Sequence, residues 1–494
     1  MATYDDVINL ALRRSLFYPA SEIYQNSPAG FYDYGPYGAA IKRKIIDLWR
    51  KEFVQKNNFI EIDGAISMPE SVFNASGHLK MFNDPVTKCK KCSSVFRADK
   101  LLTEITKKDF KEKMSDEVLT KALRDNKIKC PLCKGELEDV KKSNLMVKIE
   151  VGIAGKQNCY LRPETCQSIF TNWLRMTKTM RIKLPQGISQ VGKAFRNEIS
   201  PRQTILRTIE FTQMETEVFF DSNKIDEIDK WDEVKDYKIC VQLAGRDKVE
   251  MIKCEDLVKK KIVSGKIIAY YLARTQQLYE MYGFTSEEMR FRQLDDDERA
   301  FYSKESWDFE VKTSLGWLEL IANNYRTDYD INNHMKWSKL DLRYVEAEGK
   351  KIIPHVWEIS IGTDRTLYAI LERSLKVEKD KTILMLPNMI SPLHAAVFPL
   401  LSNKEELVKK SEEVYKLLEG FEVFYDKSGS IGKRYARMDE IGCPYCITID
   451  FESLEKDDVT IRDRNTGEQK RVKISNLRDT LNNLIFGFQS FSKL

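Results

Sequence analysis

Histidine is scarce in this sequence: there are four in 494 residues, at His78, His334, His355 and His394, with no spacing that joins them in a metal or nucleophile site. Imidazole-centred catalysis is therefore not the expected chemistry. Long apolar runs are missing too. A membrane span takes about 20 apolar residues, which no stretch approaches, and Met1 to Leu10 carries Asp5 and Asp6 where a secretory signal needs an apolar core. The expectation is a cytoplasmic protein with no membrane contact. Charge of one sign is also in short supply. The 80 Lys+Arg against 75 Asp+Glu leave a formal +5, which tolerates a polyanionic partner without demonstrating one. No internal repeat or low-complexity tract is present.

What is there is globular material. Hydrophobic residues make up 42% and charged residues 31%, enough apolar content for a real core. At about 100–200 residues per domain the length predicts roughly three units. Ten cysteines in a reducing compartment are not a disulfide framework, so their spacing is read for metal. Cys89-x-x-Cys92 and Cys130-x-x-Cys133 flank residues 93–129, two knuckles of the kind that hold a structural, tetrahedral Zn²⁺. The alternative is four reduced thiols left over from an ancestral site. Cys443-Pro-Tyr-Cys446 imitates a redox pair, but no thioredoxin-like order of elements surrounds it, and it is read as structural. Cys159, Cys166, Cys240 and Cys254 show no ligand spacing.

From Ala39 to Lys56 a helical stripe of Ile41, Ile45, Leu48, Trp49 and Phe53 follows the Gly- and Tyr-rich turn from Gly30 to Gly38. Residues 99–148 shift to Lys-rich, weakly periodic sequence and read as an inserted small module; a second polar stretch at about 222–290 interrupts the chain in the same way. Elsewhere the pattern alternates over 190–198, 208–220, 307–312, 316–323 and 355–361, which predicts a strand-rich main domain over 1–385. Past Lys381 come a short strand (383–386), a helix near 403–419, a strand at 422–425, a helix near 431–441, a strand at 445–450 and a hairpin turning at Asn465-Thr466-Gly467. Residues 386–494 therefore read as a separate α/β domain.

Side chains alternate across a strand, so Arg196 and Glu198 are expected on one face and Phe195 and Asn197 on the other. The strand 208–220 aligns Ile209, Phe211, Gln213, Glu215 and Glu217, and the linking loop carries Pro201, Arg202 and Arg207. Such a unit clamps a triphosphate with arginines, stacks a purine on Phe211 and holds an ammonium with carboxylates. A solvated hairpin with salt bridges remains the open alternative for this segment alone. In 355–361, Trp357, Ile359 and Ile361 form a predicted buried face, with Val356, Glu358 and Ser360 opposite. Gly362 and a helix starting near Asp364-Arg365 follow, offering a helix N-terminus and a cation to phosphate, with Asp364 as N-cap in the plainer reading. Leu161-Arg162-Pro163-Glu164 is read as opening a helix that runs through Ile169, Phe170, Trp173 and Met176, where Glu164 by itself only favours the helix dipole. Gly187-x4-Gly192-Lys193 is a near miss for a phosphate-binding loop, because Ala194 stands where that loop needs a hydroxyl and a strand follows where a helix should.

These pieces in this order resemble the glycyl-tRNA synthetases of the archaeal and eukaryotic homodimeric type, a class II family, over nearly the whole chain. Gly30-Phe31-Tyr32-Asp33-Tyr34-Gly35-Pro36 and the helix after it resemble the dimer-forming first motif, Phe195 to Glu217 the second, and Glu358 to Arg365 the third. Arg162-Pro163-Glu164-Thr165 and Glu210-Phe211-Thr212 separate glycyl enzymes from other members of the class. Gly429 to Tyr435 and Thr460 to Arg464 resemble that family's anticodon-binding module. The resemblance implies an α+β fold: a class II antiparallel sheet flanked by helices, with the zinc-knuckle module inserted at about 89–148 and an α/β anticodon-binding domain at the C-terminal end.

It also implies ATP held in a bent form with Mg²⁺. Arg196 would meet the α-phosphate, Arg207 and Arg365 the γ-phosphate, Glu198 the adenine amino group and Phe211 the ring. Asn197, Leu206, Glu319, Leu320, Gly362, Thr363 and Asp364 complete the implied ATP contacts. Glycine is expected at Arg97, Glu164, Phe211, Thr212, Gln213, Met214, Glu215, Arg326, Glu358 and Ser360, its ammonium on Glu164, Glu215 and Ser360 and its other end towards Arg97 and Arg326. Arg196, Arg207, Glu358 and Arg365 are the implied catalytic residues, and tRNA and a second copy of the chain the implied partners. Against the family pattern, Asp364 replaces the second glycine of the third motif, Ile359 stands where proline is frequent, and Lys100 replaces the histidine of Arg-Ala-Asp-His-Leu. A threonyl or prolyl enzyme would share the second and third motifs but not Arg162 to Thr165 with Glu215. A non-catalytic synthetase-like RNA-binding subunit would lose Arg196, Glu198 and Arg365.

Overall fold

A computed structural model describes residues 2–111, 113–153, 157–199, 201, 203–378 and 381–494. The alternating segments assemble into one nine-stranded sheet. Its order is Val249–Lys253, Lys238–Gln242, Met289–Gln293, Glu305–Thr313, Gly316–Thr327, His355–Gly362, Glu210–Phe220, Gln186–Phe195 and Ile60–Ile62. Pairing is antiparallel apart from 238–242 with 289–293 and 186–195 with 60–62, which are parallel.

The two faces differ. On one, Met214, Val218, Trp357, Ile359 and Ile361 are buried in the main cluster with helices Pro36–Trp49, Lys266–Met281 and Thr363–Ser374. On the other, helix Cys166–Thr179 lays Trp173 on Phe219 with ring centroids 4.1 Å apart, and Ile188 and Val356 join them. Central strands are covered on both sides, so Val356 and Glu358 are as buried as Trp357. The expectation that one face of 355–361 would be open holds only at Ser360, which is half-buried.

Several boundaries move for physical reasons. The stripe at 39–56 starts earlier, at Pro36 behind the N-cap Gly35, and continues past Trp49 as a π-helical stretch, Arg50–Gln55. The helix expected from Leu161 begins at Cys166. The Arg162 guanidinium donates to the carbonyls of Lys193 and Gly64 (2.8 and 2.9 Å), which holds residues 162–165 as a turn. The strand holding Gly187 and Gly192 is continuous, so no phosphate loop forms there. Residues 222–290 interrupt the chain order but not the fold: they supply the edge strand Val249–Lys253 and its neighbour Lys238–Gln242 in the same sheet, and helix Lys266–Met281 is buried in its core.

The inserted module is a three-stranded sheet, Val95–Arg97, Asn83–Lys88 and Lys141–Asn144, with helices Ala98–Thr106 and Asp116–Asp125 over a small core of Leu101, Leu102, Leu119 and Leu123. Near the C-terminus the sheet order is Val423–Tyr425, Ala395–Pro399, Tyr445–Ile449, Asp458–Asp463 and Gln469–Lys473, the first three parallel and the rest antiparallel. Its helices Glu405–Leu417 and Ile431–Ile441 match the expected ones. The strand Ala395–Pro399 was not expected, because it is short and buried on both faces and so carries no alternation.

Candidate functional site

Strand pairing builds the site in rows. Directly opposed residues of an antiparallel sheet share a face, and Glu215, Ser360 and Ala322 lie opposite one another, as do Glu217, Glu358 and Asn324. Towards the loop 196–208 the same face opens into a cleft of about 160 Å³. Of the expected residues, Arg196, Glu198, Leu206, Arg207, Phe211, Thr212, Gln213, Glu319, Leu320, Ser360, Gly362, Asp364 and Arg365 line it.

The expectation for 195–198 is corrected. The strand ends at Phe195, so Arg196 and Glu198 do not share a strand face. Arg196 donates to the Pro163 carbonyl (3.2 Å) and lies between the Phe82 and Phe211 rings, 5.4 and 5.3 Å from their centroids. Glu198 accepts from Arg207 at 2.7 Å, and the Asn197 backbone N–H donates to the Leu145 carbonyl at 2.8 Å. Arg202 lies outside the described residues. Arg365 donates to the carbonyls of Leu206 and Glu319 at 3.0 and 3.1 Å, which ties the loop to the first turn of helix Thr363–Ser374.

Gly362, not Asp364, is the N-cap of that helix. The Asp364 carboxylate accepts instead from Lys42 Nζ (2.6 Å), Tyr34 Oη (2.5 Å) and the Thr212 amide (2.6 Å). Its charge is thus compensated by a half-buried lysine rather than aimed at phosphate. Burial pulls the Lys42 ammonium below its usual range, and burial with Asp364 holds the Tyr34 phenol far above its own.

Deeper, the carboxylates cluster. Glu164 Oε1 accepts from Cys166, Gln167 and His78 at 2.8, 3.1 and 3.2 Å. Burial alone would raise this carboxyl, but His78 and Arg326 outweigh it and hold Glu164 well below the usual range. Arg326 is 1% exposed; it forks onto Asp330 at 2.7 and 3.0 Å, reaches Glu358 Oε1 at 3.0 Å and stacks on Tyr302 at 3.8 Å. Glu358 Oε2 accepts from Asn324 at 2.7 Å; burial, against the pull of Arg326, pushes this carboxyl up to about 8. Glu215 accepts from the Thr165 hydroxyl, and burial followed by the Glu164 charge raises it. Glu217, driven up by burial and then by Glu358, stands well above the usual range.

Four expected residues lie elsewhere. Met214 points to the opposite face, 0% exposed in the main core, as the two-residue period of the strand requires. Arg97 pairs with Asp84 and Asp99 inside the inserted module. Thr363 is buried, and Arg326 has its donors on Asp330 and Glu358 rather than facing the cleft. Missed from sequence were Tyr34, Lys42, His78, Thr165, Asn324 and Asp330 as members of this neighbourhood. His78 and Lys42 reach it from segments far away in the chain, and no local pattern marks them.

The cysteines assemble as expected. Sγ atoms of Cys89 and Cys133 are 3.5 Å apart, those of Cys92 and Cys130 3.7 Å, and all four lie within 4.8 Å of one another. Four thiolates about 2.3 Å from one tetrahedral ion stand about 3.8 Å apart, so the set fits Zn²⁺. Ser93 and Lys134 take positive φ (59° and 58°) just after the second cysteine of each pair. A Cβ on Gly135 would sit 3.1 Å from Cys89 Sγ, so the knuckle closes on a residue without one.

Comparison with known proteins completes the picture. Residues 148–374 match the tRNA synthetase class II core domain (G, H, P, S and T), and residues 394–484 match the anticodon binding domain. The glycine-tRNA ligases of Thermococcus gammatolerans and Pyrococcus furiosus are each 39% identical over 98% of this chain and 99% of their own. That of Methanothrix thermoacetophila is 36% identical over 100% of this chain and 99% of its own. Among solved structures, a prolyl-tRNA synthetase from Cryptosporidium parvum, complexed with halofuginone and AMPPNP, covers 98% of this chain at a TM-score of 0.60 and 13% identity, with 76% of that chain matched; this shares the fold. No helix among the described residues is long and apolar enough to cross a membrane. On sequence, domains and fold together, the chain belongs to the glycine-tRNA ligase family of class II aminoacyl-tRNA synthetases.

Proposed function

We propose that this protein activates glycine with ATP, releasing pyrophosphate, and transfers glycine to the 3′ end of its tRNA. The observation that carries the reading is a cleft rimmed by Arg196, Arg207 and Arg365 and lined at its inner end by Gln213 and Ser360, on the same strands as the buried Glu215, Glu217 and Glu358. A glycine carboxylate oxygen attacks the α-phosphorus, the P–O bond to pyrophosphate breaks, and glycyl-adenylate forms. A ribose hydroxyl of the tRNA then attacks the carbonyl carbon and AMP leaves. Both steps build negative charge, which Arg196 at the α-phosphate and Arg207 and Arg365 at the γ-phosphate stabilise, so no protein nucleophile is needed. Release of Glu198 from Arg207 frees it for the adenine amino group, with Phe211 under the ring. Mg²⁺ bound with ATP supplies further charge neutralisation. Glu319, at the cleft edge with a 47% exposed side chain, is the carboxylate open to it. Glycine offers no side chain, so selection rests on ammonium acceptors in a space too small for a β-carbon.

The four-cysteine cluster holds a structural Zn²⁺ in this reading, residues 386–494 bind the anticodon, and the enzyme works as a cytoplasmic homodimer. The test is ATP–pyrophosphate exchange by the purified chain against the twenty amino acids. Exchange with glycine alone supports the reading; exchange with a different amino acid, or with none, refutes it. Sedimentation of the purified protein tests the dimer.

A further inference from the structure

Of the three arginines on the cleft, two are fixed by polar partners. Arg207 is held by Glu198, and Arg365 by the carbonyls of Leu206 and Glu319. Arg196 is held otherwise. Its one side-chain hydrogen bond among the described residues is the 3.2 Å contact with the Pro163 carbonyl, and its guanidinium lies between two rings, Phe211 at 5.3 Å and Phe82 at 5.4 Å. Both separations are within the roughly 6 Å over which the negative face of a ring attracts a cation. Phe211 lines the cleft and Phe82 does not, so Phe82 backs the arginine from outside the pocket.

Phe82 is itself well anchored. It ends the short helix His78–Met81 and leads into Asn83–Lys88, the first strand of the inserted module. Asn83 pairs with Asn144 of the strand Lys141–Asn144, through which the chain leaves the module. Asn144 Nδ2 donates to the carbonyls of His78 and Leu79 at 3.2 and 3.1 Å, and the Leu145 amide to that of Phe82 at 3.1 Å. The Leu145 carbonyl takes the amide of Asn197, the residue next to Arg196, at 2.8 Å. Phe82 also packs on the buried trio Met68, Phe73 and Met146, and its ring centroid is 5.6 Å from that of His78, which holds Glu164. Entry and exit of the module are thus tied to each other and to the segment that carries Arg196.

We propose that Phe82 is a positioning residue for Arg196, holding its guanidinium at the α-phosphate, and that the stem of the inserted module thereby takes part in adenylate formation. This rests on the glycine-activation reading, in which Arg196 meets the α-phosphate and adenine lies on Phe211. Adenine competes for the Phe211 ring, so Phe82 is the ring that Arg196 keeps through the reaction. A cation backed by an aromatic face stays oriented without a carboxylate partner, which would neutralise the charge that the phosphate needs. Negative charge grows at that phosphate in the transition state, so a misplaced Arg196 slows turnover more than it weakens ATP binding.

The experiment is glycine-dependent ATP–pyrophosphate exchange by Phe82→Tyr, Phe82→Leu and Phe82→Met. Tyrosine keeps a ring face; leucine and methionine keep an apolar side chain without one. F82L and F82M should lower kcat by about 10-fold, the scale of a partly desolvated cation–π contact. The KM values for ATP and glycine should stay within about 3-fold, and F82Y should keep kcat within about 2-fold. A role in packing alone would make the leucine and methionine variants mild. Full kcat in both, a loss in F82Y equal to theirs, or a loss confined to KM overturns the proposal. Thermal unfolding checks that each variant is folded; if F82L is not, F82M against F82Y decides by the same ratio. Absence of glycine-dependent exchange in the unsubstituted enzyme would instead refute the activity reading.

Discussion

Replacing Gly192 by alanine should dismantle the amino-acid end of the site from outside it. Gly192 lies on the strand Gln186–Phe195 opposite Gln213, and a Cβ there would stand 2.1 Å from Arg162 Nη2. Ordinary contact begins at 3.4 Å, so the guanidinium must retreat by more than an ångström. Arg162 is 1% exposed and donates to Lys193 O, Gly64 O and Ser168 Oγ at 2.8, 2.9 and 3.1 Å. Such a side chain has nowhere to go. Losing two of these charge-assisted bonds costs about 3–5 kcal/mol, which in a domain of this size lowers the unfolding midpoint by about 5 °C. The turn that Arg162 anchors also carries Thr165, whose amide holds Gln213 Oε1 at 3.1 Å and whose hydroxyl holds Glu215. Glycine activation should therefore weaken by up to about 100-fold in kcat/KM, the scale of an ångström of misplacement. The assay is thermal unfolding beside the glycine kcat/KM in pyrophosphate exchange. Gly187→Ala, whose Cβ would meet the Phe59 ring at 2.5 Å on the same strand, is the control: it should destabilise and leave the glycine kcat/KM alone. If Gly192→Ala unfolds with the unsubstituted protein and activates glycine normally, the role given to Arg162 is wrong.

Other perturbations read separate parts of the molecule. Glycine affinity should rise with pH between about 5 and 8. Burial raises the carboxyls of Glu215, Glu217 and Glu358, the last to about 8. Protons therefore occupy the empty pocket below that range and compete with the ammonium; a glycine dissociation constant that is flat or worsens across this window contradicts that competition. Lys42→Met leaves Asp364 with its charge and only Tyr34 and the Thr212 amide as donors. Removing one member of a buried pair costs about 3–5 kcal/mol, and the uncompensated carboxylate beside the cleft should raise the ATP KM, read by exchange kinetics at varied ATP. Elemental analysis should find one zinc per chain, and Cys130→Ser should abolish it and expose residues 93–129 to limited proteolysis; a metal-free native protein would remove zinc from the account.

Local sequence carried a good deal. The two-residue period at 208–220 and 355–361 set which side chains share a face, and the structure keeps Phe211, Gln213, Glu215 and Glu217 in that row. The paired Cys-x-x-Cys spacing fixed the knuckle set, and the helices at 405–417 and 431–441 fall where the apolar stripes lie. These features depend on neighbours within a few residues, and that is the range over which periodicity and turn chemistry act. Tertiary structure decided the rest. Period alone could not tell that 355–362 is central and buried on both faces, nor that Ala395–Pro399 is a strand at all, because burial on both sides erases alternation. It gave no means of seeing that Lys42 would neutralise Asp364 or that His78 would hold Glu164, since those pairs form only when segments distant in the chain meet. It placed Glu217 in the row of Phe211 and Glu215 without showing that its oxygens are left without donors among the described residues. Whether a buried carboxylate is engaged or vacant is set by what the fold packs around it.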